Sequence, residues 1–204
     1  MSKRSNRGSN VPQSLPLLLK EIRSCRHCEA DLELGPRPIL ELDNDSRILI
    51  VGQAPGRRVH ESGVAWHDPS GERLRSWMGV SREQFYDKQL VAIVPMGFCY
   101  PGKGNSGDLP PRPECAELWH DRVIAQLSNV KLTLVIGKYA QSHVLGDRQK
   151  PSLTETVRSW QQYRPKIVPL PHPSPRNVRW FKANPWFEEN VIPYLKRRVA
   201  SLCR

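Results

Sequence analysis

The feature that most constrains the fold is the stretch from Ile48 to Gly56, which reads ILIVGQAPG. Its first residues continue a β-branched and aliphatic run, which is typical of a strand buried on both faces of a sheet. Gly52 ends the run, and the turn that follows lets backbone amides approach a ligand closely. In open parallel sheets, ligands sit beyond the carboxyl ends of the strands. The stretch therefore predicts a buried strand with a candidate site at its end.

Three further apolar runs predict strands, and helical patterns separate them. The strands are predicted at 90–94, 132–137 and 166–170, the helices at 14–23, 72–78, 114–129 and 139–145, and one broken helix over 180–202. This alternation predicts the α/β class, as a three-layer α/β/α sandwich with a central, mostly parallel four-stranded sheet. We expect residues 14–204 to form one domain and residues 1–13 a disordered basic arm. Residues 57–69 and 100–113 are expected to be loops.

The charge of the chain indicates its class of partner. Thirty-one Lys and Arg residues against 20 Asp and Glu residues leave a formal net charge of +11, which favours a nucleic acid partner. No run approaches about 18 apolar residues, so we expect no membrane span. The charged start MSKRSNRGSN does not read as a secretory signal. We expect a monomer that works in the cytoplasm, associated with the nucleoid.

The cysteines suggest a metal site. Cys25 and Cys28 form a C-x2-C pair after the first predicted helix, and Cys99 and Cys115 flank the second predicted loop. Such a set looks more like one tetrathiolate site than a disulfide framework. The wide second pair fits a zinc ribbon poorly, whereas an iron–sulfur cluster tolerates it, and the spacing alone does not name the metal. Cys203 stands apart and is not expected to be a ligand.

Three separate signals together resemble the uracil-DNA glycosylase superfamily, in particular its iron–sulfur, family-four-like branch. They are the turn Gly52-Gln53-Ala54-Pro55-Gly56, the segment His172-Pro173-Ser174-Pro175 and the four cysteines, and Gly63, Trp66, Pro69 and Gly71 follow the first turn at the family's offsets. The likeness covers roughly residues 14 to 195. It implies a DNA glycosylase of base excision repair, which would hydrolyse the N-glycosidic bond of a flipped uracil or related deaminated or modified base.

The resemblance also implies roles for individual residues. His172 would donate to the leaving base, the backbone amides of Gln53 and Ala54 would hold another base oxygen, and Trp66 would stack on the base. Gly52 also belongs to the expected base-binding residues. The candidates for activating water are His60, Glu61 and Asp68. The candidate DNA contacts are Ser174, Arg176, Asn177, Arg179, Arg57, Arg58 and Lys182. The candidate ligands of a structural 4Fe-4S cluster are Cys25, Cys28, Cys99 and Cys115.

Several positions depart from the family pattern and keep alternatives open. Gln53 stands where the iron–sulfur members have Glu, although Gln matches the Gly-Gln-Asp-Pro-Tyr motif of the classical branch, whose Asp falls at Ala54. Val59 and His60 stand where an acidic pair is expected, and Pro95 where an Asn would read the base edge. The alternatives are a non-catalytic iron–sulfur protein that binds DNA and a glycosylase for a bulkier modified base.

Overall fold

The centre of the protein is a four-stranded sheet in a computed structural model that describes residues 13–105 and 107–203. Its strands are β1 (Ile48–Val51), β2 (Val91–Ile93), β5 (Leu132–Ile136) and β6 (Ile167–Leu170). The strand order is β2-β1-β5-β6, and all neighbouring pairs are parallel. The predicted α/β fold is therefore confirmed. The predicted basic arm lies almost entirely outside the described residues.

Helices cover the sheet. The α-helices are α1 (Leu15–Arg23), α2 (Arg57–Ser62), α3 (Pro69–Met78), α4 (Arg82–Tyr86), α5 (Pro113–Cys115), α6 (Asp121–Ile124), α7 (Gly137–Leu145), α8 (Leu153–Arg158), α9 (Val178–Ala183) and α10 (Ile192–Ala200). Single π-helical turns at Ala116–His120 and Phe187–Val191 precede α6 and α10. Short 3-10 turns occupy Glu29–Asp31, Gly146–Arg148, Trp160–Gln162 and Pro175–Asn177.

The side chains of each strand alternate between two apolar layers, one on each face of the sheet. Ile48 and Ile50 pack with buried residues of α3, α4, α8 and α10. Leu49 and Val51 pack with buried residues of α1, α6 and α7. The sheet therefore lies between two helical layers, which is the predicted three-layer sandwich. Ser14 precedes α1 as predicted, although its side chain makes no capping hydrogen bond.

Some element assignments made from the sequence are wrong. Residues 57–62 form α2 rather than a loop, and Gly63, in the left-handed conformation at φ 74°, ends that helix. Within α2, Arg57 and Glu61 form an ion pair of 2.9 Å across one turn, which is the spacing that supports a helix. The helix predicted over 114–129 includes a π-helical turn and ends at Ile124. Neither α4 nor α8 is predicted by the sequence patterns.

The loop predicted over 100–113 contains an antiparallel hairpin of β3 (Lys103–Gly104) and β4 (Gly107–Asp108). The amide of Leu109 donates to the carbonyl of Gly102 at 2.9 Å, which closes the base of the hairpin. A Cβ on Gly97 would lie 3.1 Å from Pro111. The return segment of the loop therefore packs closely against the chain that follows β2.

The carboxyl ends of the four parallel strands meet at one edge of the sheet. The chain passes from β1 to β2 on one side and then to β5 on the other side of β1, which places the reversal of strand order beside β1. Ligands bind at such reversals in open α/β sheets. The segment that begins at Gly52 follows β1, and the segment that begins at Pro171 follows β6. No helix in the described ranges has the length and apolar character needed to cross a membrane.

Candidate active site

Two aromatic rings meet at the carboxyl edge of the sheet. The centroids of the Trp66 and His172 rings lie 5.7 Å apart, with an angle of 31° between the ring planes. The indole also covers Gly52, where a Cβ would lie 3.1 Å from Trp66 Cζ2. Gly52 therefore leaves the space that the indole occupies. The fold thus brings together Gly52, Trp66 and His172, although more than one hundred residues separate Gly52 from His172 in the sequence.

The backbone of Trp66 adopts a left-handed conformation with φ 56°, an exception among the described non-glycine residues. Such a conformation costs a residue with a Cβ about 1–2 kcal/mol. The carbonyl of Trp66 packs on Gly71, where a Cβ would come within 1.8 Å of that oxygen. Asp68 Oδ1 in turn accepts from the Gly71 amide at 2.8 Å and caps α3. Tight packing at the start of α3 therefore holds the Trp66 backbone and orients its ring.

Two side chains hold the backbone of the segment that carries His172, one from the same segment and one from α3. Asn177 Nδ2 donates to the His172 carbonyl at 2.8 Å. Arg73 Nη1, from α3, donates to the carbonyls of Pro173 at 3.4 Å and Ser174 at 3.2 Å. Asn177 was predicted to contact DNA, and this stays a prediction, since the backbone contact uses one of the N–H groups of its side-chain amide. Arg73 was not predicted, since a helical arginine gives no sequence sign of a distant partner.

The imidazole of His172 is mostly withdrawn from water. Burial lowers the pKa of His172, and the negative charge of Asp68 acts in the opposite direction and raises it. Because a histidine with an unperturbed pKa is already largely neutral near pH 7, this environment keeps His172 neutral. A neutral imidazole retains one N–H donor, which is the property that the proposed leaving-group role requires.

The turn after β1 contacts the β3–β4 hairpin. Gln53 Nε2 donates to the carbonyl of Leu109 at 3.3 Å. The carbonyls of Gly52 and Gln53 accept from the amides of Met96 at 2.9 Å and Gly97 at 3.0 Å. The amides of Gln53 and Ala54 donate to no described residue. These two amides therefore remain able to donate to a ligand.

The three predicted activators of water are placed differently. His60 is buried in α2, its ring centroid lies 6.1 Å from that of Tyr100, and burial lowers its pKa. Glu61 is exposed and paired with Arg57. Asp68 caps α3, and its charge acts on His172. Of the three, Asp68 is therefore the residue whose charge the fold brings to His172.

An acid that the sequence patterns did not single out, Asp108, lies near the same turn. A Cβ on Gly56 would be 3.4 Å from Asp108 Oδ2. Partial burial raises the pKa of Asp108, while the charge of Arg176 lowers it and the charge of Asp68 raises it further. The sequence carried one usable signal, since Asp108 is the single acid in the segment 100–113. A Pro- and Gly-rich loop, however, gives no indication of the hairpin that aims this residue.

The remaining candidate DNA contacts surround this edge or lie beside it. Ser174 Oγ accepts from the Arg176 amide at 3.2 Å and caps the 3-10 turn. The guanidinium of Arg176 reaches the hairpin, since a Cβ on Gly107 would lie 3.1 Å from Arg176 Nη1. The exposed cations of this group are Arg57, Arg58, Arg176, Arg179 and Lys182.

Four cysteines line one cavity away from the rings. Cys25, Cys28, Cys99 and Cys115 are all free thiols, and Arg112 and Trp119 line the same cavity. Burial raises the pKa of Cys99 to about 12, and the charges of the other three cysteines add to that effect. Burial also raises the pKa of Cys28 and of Cys115. A cavity that disfavours free thiolates suits thiolates whose charge is offset by bound iron.

The spacing of this set does not match a single ion. In the described ranges, no three His, Cys, Asp or Glu side chains are grouped so that they could hold one metal ion. A four-iron cluster takes one thiolate at each iron, so its ligands stand farther apart than the ligands of one ion. The donor set therefore fits a cluster in number and chemistry. Arg37, which was not predicted, links this cavity to α2. Its backbone amide hydrogen-bonds to the Cys99 sulfur, and its Nη1 donates to the Glu61 carbonyl at 2.9 Å.

Comparison with known proteins agrees with this geometry. The sequence profile of the Uracil DNA glycosylase superfamily matches residues 40–196. A Type-4 uracil-DNA glycosylase from Archaeoglobus fulgidus is 24% identical over 177 residues, which cover 79% of this chain and 82% of that protein. The profile match includes every strand of the central sheet and both the Trp66 and His172 segments. The resemblance predicted from the sequence is confirmed, and the chain belongs to the uracil-DNA glycosylase superfamily.

Proposed function

We propose that the protein is a monofunctional DNA glycosylase that hydrolyses the N-glycosidic bond of a flipped uracil or a related deaminated or modified base. The observation that carries the proposal is the packing of the Trp66 ring near the His172 ring, 5.7 Å apart, where β1 and β6 end. Membership of the superfamily and the similarity to a Type-4 uracil-DNA glycosylase support the same reaction class.

Base recognition would begin with extrusion of the nucleotide. A base inside the duplex stack is inaccessible, and flipping costs a few kcal/mol, which contacts in the pocket and with phosphates must offset. Trp66 supplies an aromatic face for stacking, and its left-handed backbone, held at Gly71, fixes the plane of that face before DNA arrives. Preorganisation of this kind reduces the entropy lost on binding.

Cleavage would leave negative charge on the departing base and positive charge on the sugar. Neutral His172 would donate its N–H to a base oxygen, and the amides of Gln53 and Ala54 would donate to a second oxygen. Fixed donors aimed at developing charge in a water-poor site lower the barrier strongly. Asn177 and Arg73 position His172 through its own segment, so they would act as positioning residues rather than as contacts to the base.

Contacts to the DNA backbone would come from the cationic surface around the pocket. Ser174, Arg176, Arg57 and Arg58 are the proposed phosphate ligands, and the net charge of +11 favours phosphate binding through counterion release. We propose that the protein acts as a monomer on DNA in the cytoplasm. DNA affinity should therefore fall steeply as salt is raised, whatever the sequence.

A 4Fe-4S cluster is proposed for Cys25, Cys28, Cys99 and Cys115. When bound, it would supply a covalent link between the end of α1 and the two ends of the loop that carries β3 and β4. No redox step is assigned to it. The Arg112 guanidinium, which bonds Cys28, would offset part of the negative charge of the thiolates.

Two specific features support alternatives. Ala54 provides no carboxylate, and the side-chain amide of Gln53 donates to the Leu109 carbonyl, which favours a protein that binds DNA without cleaving it. Pro95 offers no side-chain donor, and its carbonyl bonds His120 Nε2 at 3.0 Å. The absence of an amide reader at Pro95 favours a glycosylase for a bulkier modified base.

The test is single-turnover cleavage of labelled oligonucleotides that carry uracil, hypoxanthine, xanthine or modified cytosines, in single and double strands. Alkali converts abasic sites to breaks. We expect product with at least one base, and a loss of about 100-fold or more with His172→Ala. The exposed His143, on α7, supplies the matched control His143→Ala, which should cleave like the parent. No product from any base, with salt-sensitive DNA binding retained, would overturn the enzyme and leave the binding protein.

A further inference from the structure

The proposed hydrolysis needs a group that orients water, and the present inference rests on that proposed function. A carboxylate or a neutral imidazole can take this role if it reaches the water. Glu61 is ion-paired on the exposed side of α2, His60 is buried in that helix, and Asp68 caps α3. Glu61 and Asp68 are therefore engaged in structural contacts, and His60 is largely withdrawn from the water that it would have to orient.

Asp108 is placed where such a group is needed. It ends β4, and its Oδ2 packs on the turn after β1, since a Cβ on Gly56 would lie 3.4 Å from that oxygen. The neighbouring carbonyl of Leu109 accepts from Gln53 Nε2 at 3.3 Å, which fixes the hairpin against the same turn. The residue as a whole is exposed, although its surroundings partly desolvate the carboxylate and raise its pKa, so water reaches the carboxylate without a conformational change.

The titratable groups that interact electrostatically with Asp108 come from two other segments and from its own loop. Arg176 lies in the segment that carries His172, and its charge lowers the pKa of Asp108, whereas the charge of Asp68 raises it. Tyr100 lies at the start of the same loop, where burial raises the pKa of its phenol and the Asp108 charge adds to that effect. Asp68 also acts on His172. The charge of Asp68 therefore acts on both Asp108 and His172, and Arg176 joins the hairpin to the segment that carries His172.

We propose that the carboxylate of Asp108 orients and deprotonates the water that attacks C1′ of the flipped nucleotide. The water oxygen forms a bond to C1′ as the C1′–N bond breaks, and the electron pair of that bond leaves with the base. The water proton passes to the Asp108 carboxylate. The base anion, held by His172, takes a proton from solvent, and Asp108 returns its proton to solvent.

The position of Asp108 also explains why the loop is tied down at both ends. Cys99 and Cys115 flank the hairpin. Pro111 packs on Gly97 so closely that a Cβ added to Gly97 would lie 3.1 Å from it. A catalytic side chain on a loop gains precision when packing and hydrogen bonds fix that loop. The cysteine cavity would thus hold a catalytic residue in place without taking part in the reaction.

The experiment compares the full-length protein with Asp108→Asn, which keeps the shape of the side chain and removes the carboxylate that accepts the water proton. The control is Asp147→Asn, a matched change at an exposed acid of a distant 3-10 turn. Single-turnover rates are measured across pH on the best substrate of the base panel, with DNA affinity measured in parallel. We expect Asp108→Asn to lose about 100-fold or more in rate with affinity within about threefold, and to lose the acidic limb of the pH profile. Formate should restore part of the rate to Asp108→Ala, because it can occupy the space of the missing carboxylate.

The outcomes separate this inference from the proposed function. Parent-like rates in Asp108→Asn, on a protein that does cleave, would overturn the role of Asp108 and leave the glycosylase intact. A rate loss that formate does not restore and that keeps the acidic limb would assign Asp108 a structural role and also overturn the proposal. If the parent releases no base from any substrate, both proposals fall together.

Discussion

Gln53 Nε2 donates to the Leu109 carbonyl at 3.3 Å, so the turn after β1 holds the hairpin that ends at Asp108. The turn resembles the motif of the iron–sulfur members of the superfamily, which has Glu at the position of Gln53. A carboxylate accepts hydrogen bonds and cannot donate to a carbonyl. A Glu at position 53 could therefore not make the hydrogen bond that holds the hairpin of this chain.

We predict that Gln53→Glu slows cleavage instead of improving it. The substitution removes a donor whose net contribution is about 1 kcal/mol and adds a negative charge near Asp108. We expect the single-turnover rate to fall about fivefold to tenfold, and Gln162→Glu, at an exposed position of a 3-10 turn, to leave it unchanged. A faster Gln53→Glu enzyme would contradict the assignment of Gln53 to the hairpin.

We predict that the cysteines differ sharply in their effect on iron. Cys99→Ser should lose bound iron and visible absorbance, lower the melting temperature and slow cleavage, because the hairpin loses one of its anchors. Cys203 lies outside the cavity, and its thiol donates to the Val199 carbonyl at 3.3 Å. Cys203→Ser is thus the matched control and should keep iron. Equal iron loss in both variants would rule out the proposed ligand set.

We predict that Gly71→Ala destabilises the fold. The new Cβ would lie 1.8 Å from the Trp66 carbonyl oxygen, so the start of α3 or the Trp66 backbone has to move. Overpacking of this kind costs about 1–3 kcal/mol, measured as the loss of unfolding free energy in urea. Ser76→Ala, at an exposed position of the same helix, should stay within about 0.5 kcal/mol of the parent. A stable Gly71→Ala protein with parent-like activity would show that the Trp66 conformation is dispensable.

We predict that acid weakens the fold between about pH 7 and pH 5. Burial lowers the pKa of His60, His120 and His172 in the folded protein. As pH falls below about 6.5, the unfolded chain takes up protons that the folded chain does not, so the unfolding free energy decreases. The decrease levels off below the folded pKa values.

His120, which is 3% exposed, is the most buried of the three and allows a direct check. Urea unfolding of His120→Gln at several pH values should show a shallower dependence than that of the parent. The exposed His67 supplies the control, and His67→Gln should follow the parent curve. A slope that His120→Gln leaves unchanged would assign the acid sensitivity to other groups.

The sequence by itself determined the class of the fold and the identity of most candidate residues. Continuous aliphatic runs such as Ile48–Val51 can be stable only when both faces are covered, so their alternation with helices left few other architectures. The family motif around Gly52 and the segment around His172 are local in sequence. They could be found without coordinates because each is a short run of special residues.

Only the tertiary structure decided which side chains work together. The neighbours of Asp108 at Gly56, Asp68 and Arg176 are set by how the hairpin folds back onto the sheet edge, and no local pattern encodes that contact. Residues 57–62 read as a polar loop because their few apolar positions do not make a helical stripe, yet the flanking Gly56 and Gly63 and the Arg57–Glu61 pair make them a helix. Because an isolated helix of this length is marginal in water, the burial of Val59 and His60 against the rest of the protein is what stabilises α2, and the sequence pattern does not show that burial.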